Sequence, residues 1–330
     1  MKRRKHLSAL VAVVVLTGSG ALAGSALAQA FKPIRPIEAV VHAGPGGGSD
    51  VLARAIAEIN EKEKLVPQRL QVVNKTGGGS AVANAYLAEK KGDTHTIGFT
   101  TNTFIVTALT RKEAKYTVKD LTPIARLLFD PTVAVVKADS PYKSMKDFIE
   151  EAKKNPGKLT QSGGSVTAID NLYRILLQTA TGAKWNFISF PGGGERISNL
   201  LGGNVHLLIQ EVQEVGEHIR AGSLRIMTTF TEKRLPAYPD VPTIREEGIH
   251  IPDLNQVRAV VAPPGTPKEV VEFWEDFFAR LLKTPSWKKF SEQNQFVDAY
   301  LKSRELGHFF DEQTKVLRSA LQEAGVKLAR

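Results

Sequence analysis

Four glycine-rich segments, each placed between a predicted strand and a predicted helix, set the tightest limit on what this chain can fold into. They are Gly44-Pro45-Gly46-Gly47-Gly48-Ser49-Asp50, Gly77-Gly78-Gly79-Ser80, Gly163-Gly164-Ser165 and Pro191-Gly192-Gly193-Gly194. Glycine lets the backbone turn its N–H groups inward and lets a guest approach with no β-carbon in the way. The first turn of the following helix adds unpaired N–H donors and about half a unit of positive charge. Such a loop is an anion cradle. Taken alone, Gly77–Ser80 reads equally well as a tight turn.

The kind of anion is narrowed by what the loops lack. A nucleotide-phosphate loop needs Lys-Ser or Lys-Thr after its glycines, and Gly48 is followed by Ser49-Asp50. The dinucleotide fingerprint G-x-G-x-x-G is met only at Gly44 and Gly46, its third position falling on Ser49. A carboxylate is the better guest, and no cofactor is expected. The candidate contacts are Pro45, Gly46, Gly47, Gly48, Ser49 and Asp50 in the first loop, and Gly164, Ser165, Val166 and Thr167 in the third. Pro191 and Gly192 in the fourth join them, with Thr101 and Asn102 directly after the strand Thr96–Thr100.

The rest of the chain repeats the strand–loop–helix pattern. Strands are predicted at Pro36–His42, Leu70–Val73 and Thr96–Thr100, with helices from Ser49 and over Ala81–Ala88, the order of a parallel sheet with helices on its faces. Further strands fall at Thr132–Val136, Leu159–Gln161, Phe187–Phe190, Val205–Ile209, Leu224–Thr229 and Val257–Ala262. Ser144 and Asp147 have capping-box spacing, and Thr266-Pro267-Lys268-Glu269 predicts a helix with Thr266 as its cap. The stripe Val270, Phe273, Trp274, Phe277, Phe278 and Leu281 has helical spacing and reads as core. The last 70 or so residues are expected as two long helices, the final one over Ser303–Ala324.

At 330 residues the chain exceeds one ordinary core, so two domains or one large α/β unit are expected. There is no flexible tether between two halves. Lobes that share strands would cross near Ile124–Phe129 and Asp253–Val261. With 42% apolar and 24% charged residues, disorder is excluded for the chain as a whole. The absence of cysteine excludes a disulfide scaffold, thiolate metal sites and a thiol nucleophile.

Lys2, Arg3, Arg4 and Lys5, the apolar run Leu10–Leu16 and Ser25-Ala26-Leu27-Ala28 make a secretory signal, cut after about Ala28. Four basic residues leave with it and no acid does, so the net charge falls from +10 to +6. The remaining basic residues are interleaved with acids, which argues against a nucleic-acid groove. A mild positive excess suits anionic small molecules.

Catalysis has little support. The histidines are scattered with no metal-ligand spacing, and Ser49 is not in a nucleophile elbow. His42, just before the first loop, fits two readings, a ligand contact or a strand-end residue facing solvent. Glu211 also fits two, at the carboxyl end of a predicted strand where open α/β sheets bind ligands. There it would recognise a donor such as an ammonium or hydroxyl; otherwise it is an exposed turn acid.

Short stretches in order then carry a resemblance: Arg35-Pro36-Ile37, Ala43–Asp50 with Ala53-Arg54, Val73-Asn74, Asp120–Ala125 and Leu200–Val205. Ile219–Gly222, Arg234-Leu235-Pro236, Pro239–Thr243 and Pro263–Pro267 complete them. Over nearly its whole length the chain resembles the Bug-type substrate-binding proteins of tripartite tricarboxylate transporters. The resemblance implies a class II periplasmic-binding-protein fold, two α/β lobes joined by crossing strands and closing on a ligand in the cleft. Residues 29–125 would form the first lobe, 126–255 the second, and 256–330 would return to the first. Pro45–Asp50 would be the first-lobe carboxylate loop and Ser162–Ala168 its second-lobe counterpart.

Where the family usually has a Gly-Ser pair and then a His, this chain has Thr167-Ala168 and Asn171. The backbone cradle therefore carries over and the side-chain contacts do not. The function so implied is periplasmic capture of a small organic carboxylate by a monomer, for delivery to integral-membrane transporter subunits. A sensor-kinase partner is an alternative output, and a secreted α/β enzyme is a further one.

Overall fold

The computed structural model describes residues 31–330 apart from Asp253. The predicted export signal and its cleavage point lie outside the described residues. The chain begins β1 (Ile37–Val41), α1 (Gly48–Glu63), β2 (Leu70–Asn74), α2 (Ala81–Glu89), β3 (Thr96–Thr100), α3 (Asn102–Thr110). β1 lies between β2 and β3, parallel to both, so the carboxyl ends of all three open on one edge. β4 (Thr122–Asp130) follows, and Pro131 alone separates it from β5 (Thr132–Lys137).

That proline marks a change of sheet. β5 belongs with the elements that come next: α4 (Met145–Lys154), β6 (Thr160–Gly163), α5 (Ile169–Thr181), β7 (Asn186–Ser189), α6 (Gly193–Leu201), β8 (Leu207–Glu211), α7 (Val212–Arg220) and β9 (Leu224–Thr229). The chain then returns as β10 (Gln256–Ala262), α8 (Lys268–Leu281), α9 (Pro285–Asn294), β11 (Val297–Lys302) and α10 (Ser303–Glu323). The first sheet has the order β11-β4-β10-β3-β1-β2 and the second β7-β6-β8-β5-β9. This is the two-lobe α/β architecture expected from the sequence, although neither sheet is wholly parallel. β10 runs antiparallel to β3 and β4, and β5 antiparallel to β8 and β9.

Each sheet is covered on both faces, which is why its strands read as continuous apolar runs. α1 and α8 cover one face of the first sheet, where Leu52, Ile56, Trp274, Phe277 and Phe278 are buried against Ile37, Ile97 and Val260. α6 and α7 cover one face of the second, through Leu200, Val212 and Val215 on Val133 and Leu208. A third cluster is continuous from one lobe to the other, joining Phe104 and Leu87 to Ile169, Tyr173 and Phe230. Tyr173 stacks on Phe230 at 4.2 Å between ring centres. Full burial of such side chains is worth about 1.5–3 kcal/mol each, an upper figure for a compact unfolded chain.

Two sequence expectations are corrected here. Thr266 does not cap α8; its hydroxyl donates to the Pro263 carbonyl at 2.7 Å, and Pro267 takes the cap position with no side-chain bond. The final segment is not two long helices. α8 and α9 are separate, α9 being started by Thr284, whose hydroxyl accepts from Trp287 N–H, and ended by Gln295 at φ 58°. The edge strand β11 then pairs antiparallel with β4 before α10 begins. β11 has exposed ends around a half-buried middle, Ala299–Leu301, with no two-residue period to mark it as a strand. Ser144 does cap α4 in a reciprocal capping box with Asp147.

Candidate functional site

The carboxyl ends of β1, β2, β3, β6, β7 and β8 converge on a cavity of about 210 Å3 between the sheets. Its walls are the segments directly after those strands: His42-Ala43, Thr76–Gly79, Thr103, Gly164-Ser165, Ser189 with Pro191, and Glu211. α1, α5, α6 and α7 all begin here, at Gly47, Ala168, Gly192 and Glu211, and none has a side-chain cap. Most of their first-turn N–H groups therefore have no side-chain acceptor; Asn171 N–H is the exception, donating to Asp170 Oδ1 at 2.6 Å, while Asp50 N–H and Val212 N–H donate to the Gly47 and Pro131 carbonyls. Elsewhere, Ser144 and Thr284 close the corresponding ends of α4 and α9.

The glycine loops of the two lobes touch. Gly44 N–H donates to the Pro191 carbonyl at 3.1 Å, a backbone bond from one lobe to the other. A β-carbon on Gly193 would lie 2.1 Å from the Gly46 carbonyl oxygen, so only glycine permits this approach. Gly46 itself has φ +74°. At the far side, Thr107 hydroxyl donates to Thr167 hydroxyl at 2.8 Å.

Of the residues expected at the site, Gly48, Ser49, Gly164, Ser165, Pro191 and Glu211 line the cavity. Pro45, Gly46, Gly47 and Gly192 shape the touching loops around it. Asp50 turns away from the cavity and holds the first loop. It accepts from Gly46 N–H at 3.0 Å, from Arg54 Nε at 3.0 Å and from Asn74 Nδ2 at 2.9 Å. Burial works against its charge, but these donors outweigh it and keep its carboxyl below the ordinary range.

Thr101 caps α3, accepting from Thr103 N–H. Asn102 bridges β10, donating to the Asn255 carbonyl and accepting from Val257 N–H at 3.0 Å. Thr167 serves the contact between lobes, while Val166 is exposed. His42 is half-buried, edge-on to Phe104 and 3.5 Å from the Thr101 hydroxyl. Burial and the Arg258 guanidinium push its pKa down to about 4, so it is neutral at physiological pH.

Glu211 is buried, not an exposed turn acid. It belongs to an ionic network that the sequence did not reveal. Arg258, on β10, donates through Nε and Nη2 to Asp130 Oδ2 at 2.9 and 2.6 Å, reaches Ser49 Oγ at 3.3 Å and lies 3.5 Å from Glu211. Arg196, on α6, pairs with Glu214 at 2.9 Å and donates to Gln210 Oε1 at 2.5 Å. The Glu211 and Glu214 carboxyls bond to each other. Asp170 closes the second-lobe loop by accepting from Gly164 N–H at 2.6 Å.

A β-carbon on Gly48 would sit 2.0 Å from Arg258 and 2.7 Å from Glu214, so this glycine makes room for the network. The available signal was a single arginine in the otherwise apolar Val257–Ala262 run, because a charge in a fully buried strand must be paired.

The carboxyls of this network divide by environment. Burial pushes Asp130 and Asp170 up to about 7, Arg258 and Arg196 respectively offsetting part of it. Burial, reinforced by Glu211, pushes Glu214 up to about 8 against the pull of Arg196. Glu211 is held below its ordinary range despite burial, through Arg258, its bond to Glu214 and Arg196. Of the two, Glu214 is the one whose surroundings favour the proton. Among the described residues no cluster of His, Asp and Glu has metal-binding geometry, and no helix is long and apolar enough to cross a membrane.

Comparisons with known proteins agree with this architecture. Residues 52–326 match the family described as "Tripartite tricarboxylate transporter family receptor". A relative from Cupriavidus necator, "UPF0065 protein in gbd 5'region", is 30% identical over 99% of this chain and 100% of its own length. The fold is similar to that of "R. palustris Rpa4515 with adipate", at TM-score 0.83 and 24% identity, covering 89% of this chain and 98% of that one. It is also similar to "periplasmic binding protein BugD", at TM-score 0.83 and 24% identity, covering 89% and 99%. The matched family is one of solute-binding receptors and not of enzymes. A match that runs through both sheets and a relative aligned end to end lead to one conclusion: this chain belongs to the tripartite tricarboxylate transporter family of receptors.

Proposed function

We propose that the protein captures a small organic carboxylate in the cleft, chiefly through main-chain N–H groups of the glycine loops. The observation that carries this reading is the convergence of four uncapped helix N-termini, from both lobes, on one cavity. A hydrogen bond to a charged group is worth about 1.5–3 kcal/mol. A few such donors, less the cost of immobilising ligand and lobes, supply roughly the 8 kcal/mol of micromolar binding. The adipate bound by the structural neighbour is a compound of this class.

The two lobes hinge where the chain changes sheet, at Asp130–Thr132 and Asn255–Gln256. Each lobe contributes one side of the cradle, so ligand favours the form in which both sides meet. The protein is exported, loses its signal after about Ala28, acts as a monomer and hands its ligand to integral-membrane subunits of a tripartite tricarboxylate transporter.

A thermal-shift panel of aliphatic and aromatic mono-, di- and tricarboxylates, amino acids and sugars tests the binding reading. Ligand at 100 times its dissociation constant adds about 2.7 kcal/mol, a shift of a few degrees. Stabilisation by sugars alone would overturn it. N-terminal sequencing of the periplasmic fraction tests the export.

A further inference from the structure

We propose that a basic-rimmed groove outside the ligand cavity, built from both lobes, is the surface through which the closed protein docks on its membrane partner. Its occupant is an acidic periplasmic segment of that partner, tipped with an apolar side chain. The inference rests on the delivery reading above and names the surface used. The groove has a volume of about 240 Å3. Thr110, Arg111 and Val326 line it from the first lobe, and Val166, Leu172 and Ile175 from the second. Val166 stands 51% exposed on the loop between β6 and α5. Neither lobe makes this surface alone.

The groove and the closed cleft form together. Thr167, in the groove wall, accepts the hydrogen bond that Thr107 donates across the lobes at 2.8 Å. Gly79, in the wall of the ligand cavity, lies against the same two hydroxyls. A β-carbon on it would stand 2.3 Å from Thr167 Oγ1 and 2.6 Å from Thr107 Oγ1. This contact divides cavity from groove, so lobes that part at the cavity also part here. A partner seated in the groove selects the closed form, and thereby tells loaded from empty protein without touching the ligand.

Charge identifies the occupant. The last residues lie on the segment after α3: Ala329 N–H donates to the Leu109 carbonyl at 2.7 Å, and Arg330 donates to the Ala114 carbonyl. Arg318 in turn reaches the Arg330 carbonyl at 2.7 Å. Residues 109–116 and 318–330 are thus brought together. They carry six basic side chains, Arg111, Lys112, Lys115, Arg318, Lys327 and Arg330, against two acidic ones, Glu113 and Glu323. That excess of four compares with +6 for the whole chain after its signal, so most of the formal side-chain charge stands beside one groove. The second-lobe wall does not offset it, because the one acid of α5, Asp170, is buried. Such a rim steers an acidic segment into place, and the apolar floor supplies the close contact. A lipid surface would meet the lysines as a plane, leave the floor uncovered and be indifferent to closure.

The experiment adds labelled exported protein to proteoliposomes holding the membrane subunits of the source organism's tripartite transporter. Protein-free liposomes of the same phosphatidylethanolamine and phosphatidylglycerol mixture stand beside them. Calorimetry first establishes which carboxylate is bound; if none is, the capture reading and this inference fall together before any liposome is added. Lys112→Glu with Lys327→Glu reverses two exposed charges at the rim, and Ile175→Asp spoils the floor. Lys62→Glu with Lys268→Glu makes the same charge change on α1 and α8, which cover the other face of the first sheet. With saturating carboxylate, rim and floor variants are expected to bind the subunits at least tenfold more weakly than wild type. Their carboxylate affinity should stay within twofold, and the control pair should match wild type throughout. Docking that survives the rim change, or that is equal with and without carboxylate, would overturn the inference and leave capture standing. Equal binding to protein-free liposomes would give the rim to lipid and overturn it too. Wild-type protein that binds carboxylate but never the subunits would remove the delivery reading and this inference together. The rim lysines are exposed, so the test stays decisive even if the Ile175 variant does not fold.

Discussion

Gly193 and Gly46 meet across the cleft so closely that a β-carbon on the first would stand 2.1 Å from the carbonyl oxygen of the second. The contact is backbone to backbone, so no side-chain rotation relieves it. Gly193→Ala is expected to hold the lobes apart without harming either sheet, since position 193 is the first residue of α6 and needs no left-handed conformation. Overpacking of this kind costs about 1–3 kcal/mol, roughly 5- to 150-fold in affinity. Titration calorimetry would measure the loss. Small-angle scattering with saturating ligand would show a larger radius of gyration than wild type.

Arg258 is the cation on which Asp130 and Glu211 both depend. Arg258→Met leaves two buried carboxyls without it, a change expected to cost about 3–5 kcal/mol. Urea unfolding would show a lower midpoint with an unchanged slope. Arg258→Lys should recover only part, because a single ammonium cannot fork onto Asp130 while reaching Ser49 as the guanidinium does.

Acidity sets a further expectation. Asp130, Asp170 and Glu214 are all raised by burial, to about 7, 7 and 8. Between their unfolded values near 4 and these values the native state holds more protons, so stability is lost as pH rises through that window. His42, depressed to about 4, works in the opposite sense, gaining stability as pH rises, but only up to about 6.5. Melting temperatures of the unliganded protein should therefore fall from pH 6.5 to 8.5. Glu214→Gln should flatten that slope; an unchanged slope would argue against a proton on Glu214.

The hydroxyl pair Thr107–Thr167 joins the lobes away from the glycine loops. Thr107→Val keeps shape and removes the bond, worth about 0.5–1.5 kcal/mol. The expected result is a two- to tenfold weaker ligand affinity. Thr314→Val, which removes a hydroxyl bond within α10 to the Phe310 carbonyl, should leave affinity unchanged.

The sequence carried the scaffold further than the site. Strand and helix order were legible because each sheet is buried on both faces, giving continuous apolar runs, and because glycine loops punctuate the β1–α1, β2–α2, β6–α5 and β7–α6 steps near the cleft. The half-exposed β11 was not legible, since it has no two-residue period and its pairing with β4 is decided by tertiary contact. Loop residues such as Gly48 and Ser165 could be found from local chemistry alone. Arg196, Glu214, Gln256 and Arg258 could not. They are scattered over more than sixty positions and come together only when β10 returns beside β4. Asp50 shows the converse: it sits in the right motif, yet its carboxylate is spent on Gly46, Arg54 and Asn74.

The strand order also fixes when each half can be completed. The second sheet is assembled wholly from residues 132–229, one uninterrupted stretch. The first needs β10 and β11, which lie at the far end of the chain, between and beside strands made long before. As the polypeptide emerges from its amino end, β3 and β4 must wait with unpaired edges until Gln256–Ala262 arrives, while the later-made half is already able to close on itself. Emergence order and completion order are thus reversed, and the interval between them is when this protein has most need of a chaperone.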